Sequence, residues 1–188
     1  MPDLSPDLSP DLSDDMFLVS VDHPPDGERR TTLSFSRSAT VALVFAANRY
    51  TRTAARIYQD RFGIGVVDWR MLVMLTREPG ATVGHASRVI GIDKAAVSRA
   101  FGRLEKNGLA EPNQPQRHAL SRTWRLTEKG HALHAAILPV SLGLQKRLLN
   151  GFSEAEVVQL TDMLARLMTN LETVEGSGTG RRSKLQTD

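Results

Sequence analysis

The 188-residue chain contains no cysteine. That excludes disulfides, thiolate zinc sites and thiol-based redox sensing, and it fits a reducing cytoplasm. No run of 18 apolar residues occurs, so no transmembrane helix and no membrane partner are expected. The N-terminus lacks the basic-then-apolar order of an export signal, and export is not expected. Gly-rich phosphate loops, paired-carboxylate motifs and nucleophile elbows are missing as well. Neither an enzyme nor a cofactor or metal requirement is therefore expected. Positive charge is absent from Met1 to Glu28, which holds eight Asp/Glu and no Lys or Arg.

The cations lie elsewhere. Gly80 to Gly130 carries nine Lys/Arg against four Asp/Glu, a net of +5 within a chain whose total is +3. A basic region of this kind is the electrostatic footprint of a nucleic-acid binder. Within it the spacing predicts a short helix from about Lys94 to Asn107. Asp93 can cap its first N–H groups and Gly108 suits its end. Val97, Ala100, Phe101 and Leu104 recur at three- and four-residue steps and predict a buried face. The opposite face carries Lys94, Ala95, Ser98, Arg99, Gly102 and Arg103. Cations, a hydroxyl and small residues on one face suit the edges and phosphates of a DNA major groove. A helix capped by Thr82, with Val83, Ala86 and Ile90 as its stripe and Gly91 as its stop, precedes it. The pair reads as helix-turn-helix. Thr82 and His85 are placed near DNA, His85 as a phosphate contact, with a surface histidine of no special role as the alternative. Leu109–Glu111 and Arg122–Leu126 are short and extended. Trp124 and Leu126 alternate with Thr123 and Arg125 at the strand period. They predict a β-hairpin wing with a long polar tip.

Around this module, the threefold PDLS repeat has the composition of a disordered acidic segment. Residues 1–35 are expected to form a disordered arm, either inert or competing with DNA for the basic face. Ser38 to Arg61 predicts a long helix with Val41, Val44, Phe45, Ala55, Ile57, Tyr58 and Phe62 as buried candidates. VVDWRMLVMLTR, from Val66 or Val67 to Arg77, predicts an internal helix. Thr127 caps a further helix to about Leu149, which Pro139 should kink or divide. Ser153 and Glu156 form a capping box for a last helix running to about Val174. Gly176 to Asp188 is expected to be disordered. Residues 36–62 and 128–175 flank the DNA module at 66–130. Both flanks carry apolar stripes that a second copy can cover, although folding back onto their own domain stays open. A two-fold dimer would set two recognition helices about 34 Å apart and read a palindrome. The fold class expected is mainly α with a small β-hairpin wing, an α+β winged helix-turn-helix with dimerisation helices from both chain ends.

This order of elements, with DWRMLVML in the second helix, GIDKAAVSRAFGRLEKNGL across the recognition helix and RLTEKG closing the wing, resembles the MarR family of bacterial regulators. The likeness covers Ser38 to Val174. It implies a cytoplasmic, DNA-associated homodimer, usually a repressor, often released from a palindromic operator by a small phenolic or aromatic carboxylate ligand. It carries Lys94, Ser98, Arg99 and Arg103 into the major groove. Many wings of the family have an Asp-Arg-Arg run, which falls on His118-Ala119-Leu120 here, leaving Arg117 and Arg122 as the wing's cations. The resemblance also points to an effector space between the first two helices and the DNA module, where Arg49, Tyr50, Trp69 and Arg70 offer aromatic faces and guanidinium groups. The alternative is that Trp69 is core and the arginines are solvated or paired. His131 and His134 stand at a spacing that can share a metal, but without a third ligand nearby they are read as solvated or packed. A winged helix that binds protein rather than DNA is the other functional class in view.

Overall fold

A computed structural model describes residues 12–23, 27–113 and 122–179. Two compact units divide the chain. One spans Ser34–Gln145, and the other is made from the chain ends, Met1–Leu33 and Lys146–Asp188.

The first unit begins with α1 (Ala39–Phe62). The Ser38 hydroxyl accepts from the Val41 N–H, and Gly63 ends the helix at φ 68°, a left-handed conformation that costs glycine nothing. Its buried positions are Ala54 and Tyr58, both in the C-terminal half. Val44 and Phe45, expected inside, are exposed, because no other part of this unit covers the first turns of the helix; Phe35 only meets Phe45 edge-on. α2 (Val66–Arg77) buries six of its twelve residues, as its apolar run predicts. α3 (Val83–Ile90) is capped by the Thr82 hydroxyl, which accepts from the His85 N–H, and stops at Gly91. α4 (Lys94–Lys106) is capped by Asp93 at 2.8 Å and buries Val97, Ala100, Phe101 and Leu104. These four meet Met71, Leu72 and Leu75 of α2 in one apolar core.

The small sheet has the order β3 (Ala81–Thr82), β5 (Thr123–Leu126), β4 (Ala110–Pro112), all antiparallel. Ala81 pairs with Trp124 and Ala110 with Leu126. β3 is a strand that the two-residue apolar signal does not announce. Pro112 is tolerated because β4 lies at the sheet edge, where a missing N–H breaks no inner ladder. Trp124 and Leu126 point into the core, and Arg125 points out. Trp124 stacks on Phe101 with ring centres 5.1 Å apart, which ties the wing root to α4. α5 (Glu128–Leu148) runs on without a break. Of the two outcomes expected at Pro139, a kink or a division, division does not occur. The proline lies on the exposed side, where the carbonyl it leaves without a partner can reach water.

In the second unit the expectation of a disordered arm over 1–35 needs correction. A 3-10 turn spans Asp14–Met16, and β1 (Leu18–His23) pairs antiparallel with β2 (Glu28–Leu33), Leu18 opposite Leu33 and Val21 opposite Arg30. The β-branched Val19, Val21, Thr31 and Thr32 favour extended chain, a signal overshadowed by the acidic repeats before it. Residues 1–11 lie outside the described residues. α6 (Glu154–Thr179) starts at the predicted capping box: the Ser153 N–H donates to Glu156 at 2.7 Å, and the Glu156 N–H donates to the Ser153 hydroxyl. The bond from the Ser153 backbone holds the Glu156 carboxyl below its usual range. The helix continues five residues beyond Val174, over part of the expected disordered tail; residues 180–188 lie outside the described residues. Among the described residues no helix is long and apolar enough to cross a membrane.

Candidate nucleic-acid interface

The outward face of α4 is formed by Lys94, Ala95, Ser98, Arg99, Gly102 and Arg103, all exposed. Four buried side chains hold the helix from behind, so this face is presented rather than free to roll. Lys94 and Arg99 make no ion pair or side-chain hydrogen bond among the described residues. Gly102 is unusual in a helix interior, where glycine costs about 1 kcal/mol relative to alanine. A Cβ there would meet nothing within 4 Å. No packing among the described residues asks for this glycine, and it leaves the face open to close approach from outside.

The other expected contacts are engaged internally. Arg103 grips Asp68 of α2: its Nε donates to Oδ1 at 3.1 Å and Nη2 donates to the same oxygen at 2.6 Å. The carboxylate is 8% exposed and also accepts the Gly65 N–H at 3.2 Å, so one acid caps α2 and fastens α4. A carboxylate sunk this deep needs such hydrogen-bond partners to offset its lost hydration. Arg103, expected as a groove contact, is thus held by an acid of α2 while its side chain stays 50% exposed. His85 Nε2 lies 2.5 Å from Glu78, and the Thr82 hydroxyl is committed to the α3 cap. Arg122 lies over the Trp124 ring, 5.5 Å from its centre, and 3.7 Å from Glu105 of α4. Arg125 forks onto Glu111 across the β4–β5 pair. Arg117 and the His118-Ala119-Leu120 stretch lie outside the described residues. Sequence reasoning missed the acids in these pairs. Asp68 carried a usable signal, being the lone acid of a mostly apolar helix, which must find a cation or stay near water.

The expected effector residues divide. Trp69 is 7% exposed, with His134 stacked at 5.2 Å and Tyr58 tilted against it at 5.8 Å, so its ring belongs to the core. Arg70 donates to the Thr51 hydroxyl at 3.4 Å. Tyr50 is half-buried; burial pushes its phenol up, Tyr58 adds to this and Arg70 opposes it. Arg49 is exposed. The Tyr58 hydroxyl is enclosed and finds no hydrogen-bond partner among the described residues. Burial, then His131, pushes His134 down.

The MarR family model matches residues 62–119, from the last residue of α1 past β4 and short of β5. The fold is similar to a MarR/EmrR family transcriptional regulator from Acinetobacter sp. ADP1, at 30% identity and a TM-score of 0.69, covering 75% of this chain and 99% of that one. It is also similar to MarR in its apo form from E. coli, with a TM-score of 0.56 over 69% of this chain and 96% of that one; at 18% identity this likeness bears on the fold alone. Over 97 residues the chain is 33% identical to the HTH-type transcriptional regulator PetP of Rhodobacter capsulatus, which is 52% of this chain. That match spans 58% of the length of PetP.

Proposed function

Since the chain belongs to the MarR family of transcriptional regulators, we propose that it binds double-stranded DNA as a homodimer and represses transcription from a palindromic site. The observation that carries this reading is the face of α4. Among the described residues Lys94 and Arg99 stand unpaired beside Ser98, Ala95 and the open Gly102, and the buried row Val97, Ala100, Phe101, Leu104 holds them in place. Phosphate contacts from the cations supply affinity and the helix edge supplies sequence choice. Arg99 is the residue assigned to base reading, since a guanidinium pairs with both acceptors of a guanine edge. Two apolar surfaces support the pairing of copies. Leu43, Val44 and Phe45 are 40–53% exposed on α1, and Met163, Met168, Leu171 and Val174 are 54–59% exposed on α6. Uncovered apolar area of this extent marks an interface. A small aromatic carboxylate or phenol is the assigned effector class, with Arg70 and Tyr50 as its polar partners. Such a ligand releases DNA only if it prefers the spacing of recognition helices that cannot span the site.

The test uses the full chain and duplexes that it enriches from a randomised pool, titrated at two salt concentrations. Tight binding that weakens steeply with salt is expected. Arg99→Ala should cost about 1–3 kcal/mol on the enriched duplex and relax preference at one base position. Absence of any salt-sensitive DNA binding would sink the reading in favour of a protein-interaction module.

A further inference from the structure

Resting on that DNA-binding reading, the geometry points to Arg103 and Asp68 as a positioning pair that sets the seat of the recognition helix, rather than to Arg103 as a groove contact. Three observations carry it. The Arg103 guanidinium has spent Nε and Nη2 on one carboxylate, the Nη2 bond being 2.6 Å. That carboxylate is almost wholly buried, so it cannot itself touch DNA, and its desolvated charge makes release of Arg103 to an outside phosphate costly. Its other oxygen accepts the Gly65 N–H at the start of α2, so the pair locks the height of α4 to the first turn of another helix. Lys94, Ser98 and Arg99 lie about one to two and a half turns ahead of Arg103 on the same helix, and Arg103 sits where a shift of α4 along its axis would be resisted. Base reading is thereby confined to the N-terminal half of α4.

The discriminating variants are Asp68→Asn, Arg103→Ala and Arg103→Lys, with the double variant Asp68→Asn/Arg103→Ala. Each is assayed as the full chain, at a temperature where circular dichroism shows it folded. The probes are the enriched duplex and an unrelated duplex of the same length. A positioning pair predicts that Asp68→Asn and Arg103→Ala each weaken binding to the enriched duplex by about tenfold. Binding to the unrelated duplex and the salt slope should both stay at the wild-type value, because neither change removes a phosphate contact. The double variant should be no weaker than either single one, and Arg103→Lys, which keeps the charge but not the fork, should fall between. If Arg103→Ala lowers the salt slope or erases one base preference while Asp68→Asn binds as well as wild type or better, Arg103 is a direct contact and the proposal is overturned. It is equally overturned if the variants melt earlier yet bind the enriched duplex unchanged. Failure of the wild type to enrich any duplex removes the DNA-binding reading itself, and this inference with it.

Discussion

Gly130 has no side chain because the end of the recognition module comes too close. A Cβ there would lie 2.0 Å from the Leu109 carbonyl oxygen and 3.0 Å from its carbon. Thr127 fixes the approach: its N–H donates to the Leu109 carbonyl at 3.1 Å and its hydroxyl to the Gly108 carbonyl at 2.7 Å. Backbone cannot swing aside as a flexible side chain does. Gly130→Ala is therefore expected to cost about 1–3 kcal/mol, seen as a lower urea midpoint with an unchanged slope. Single residues were legible in the sequence where their partner is near. The caps Thr82, Asp93 and Ser153 each bond an N–H three residues on, and composition and spacing announced all three; Ser38, expected as the start of the first helix, caps it in the same way. Asp68 and Arg103 lie far apart in sequence, and nothing local in the chain says that they meet. The same holds for Gly130, whose neighbour sits on another element.

Helix by helix, the periodic signals sufficed wherever an element buries one clean stripe, as α2 and α4 do. They failed where burial is set from outside the element. Two residues of β3 become a strand only because Trp124 and Thr123 lie alongside. The exposed first half of α1 looks like core in the sequence because an apolar stripe carries no record of what covers it. The docking of α5 on α2 depends on a contact of this nonlocal kind, His134 stacked on Trp69. Burial and then His131 lower the His134 pKa from its ordinary 6.5. The folded chain thus binds fewer protons here than the unfolded chain does. The stability tied to neutral His134 is complete above the ordinary imidazole range and is lost as pH falls through the lowered value. Stability should drop between about pH 7.5 and about pH 5.5, and His134→Phe, which keeps a ring against Trp69 without a proton to gain, should show a shallower drop. Urea midpoints of both proteins at the two pH values check this.

For the whole molecule, the decisive quantity is the apolar surface left open at both ends of the described chain. Among the described residues of α6 none is buried, and Leu167 and Leu171 stand on the same stripe as Val174. If a second copy covers that stripe, the double change Leu167→Glu and Leu171→Glu should halve the sedimenting mass and cut affinity for a palindromic duplex far more than for a single half-site. Wild-type mass in the changed protein would remove α6 from the interface. One further consequence follows from the placement of Trp69 and Trp124, the chain's two tryptophans. The first lies against Tyr58 and His134, and the second rests on Phe101 beneath the Arg122 guanidinium. Each indole therefore emits from a separate contact of the protein, and replacing one leaves a native optical gauge for the other: parting of α5 from α2 at Trp69, or lifting of the wing from the recognition helix at Trp124.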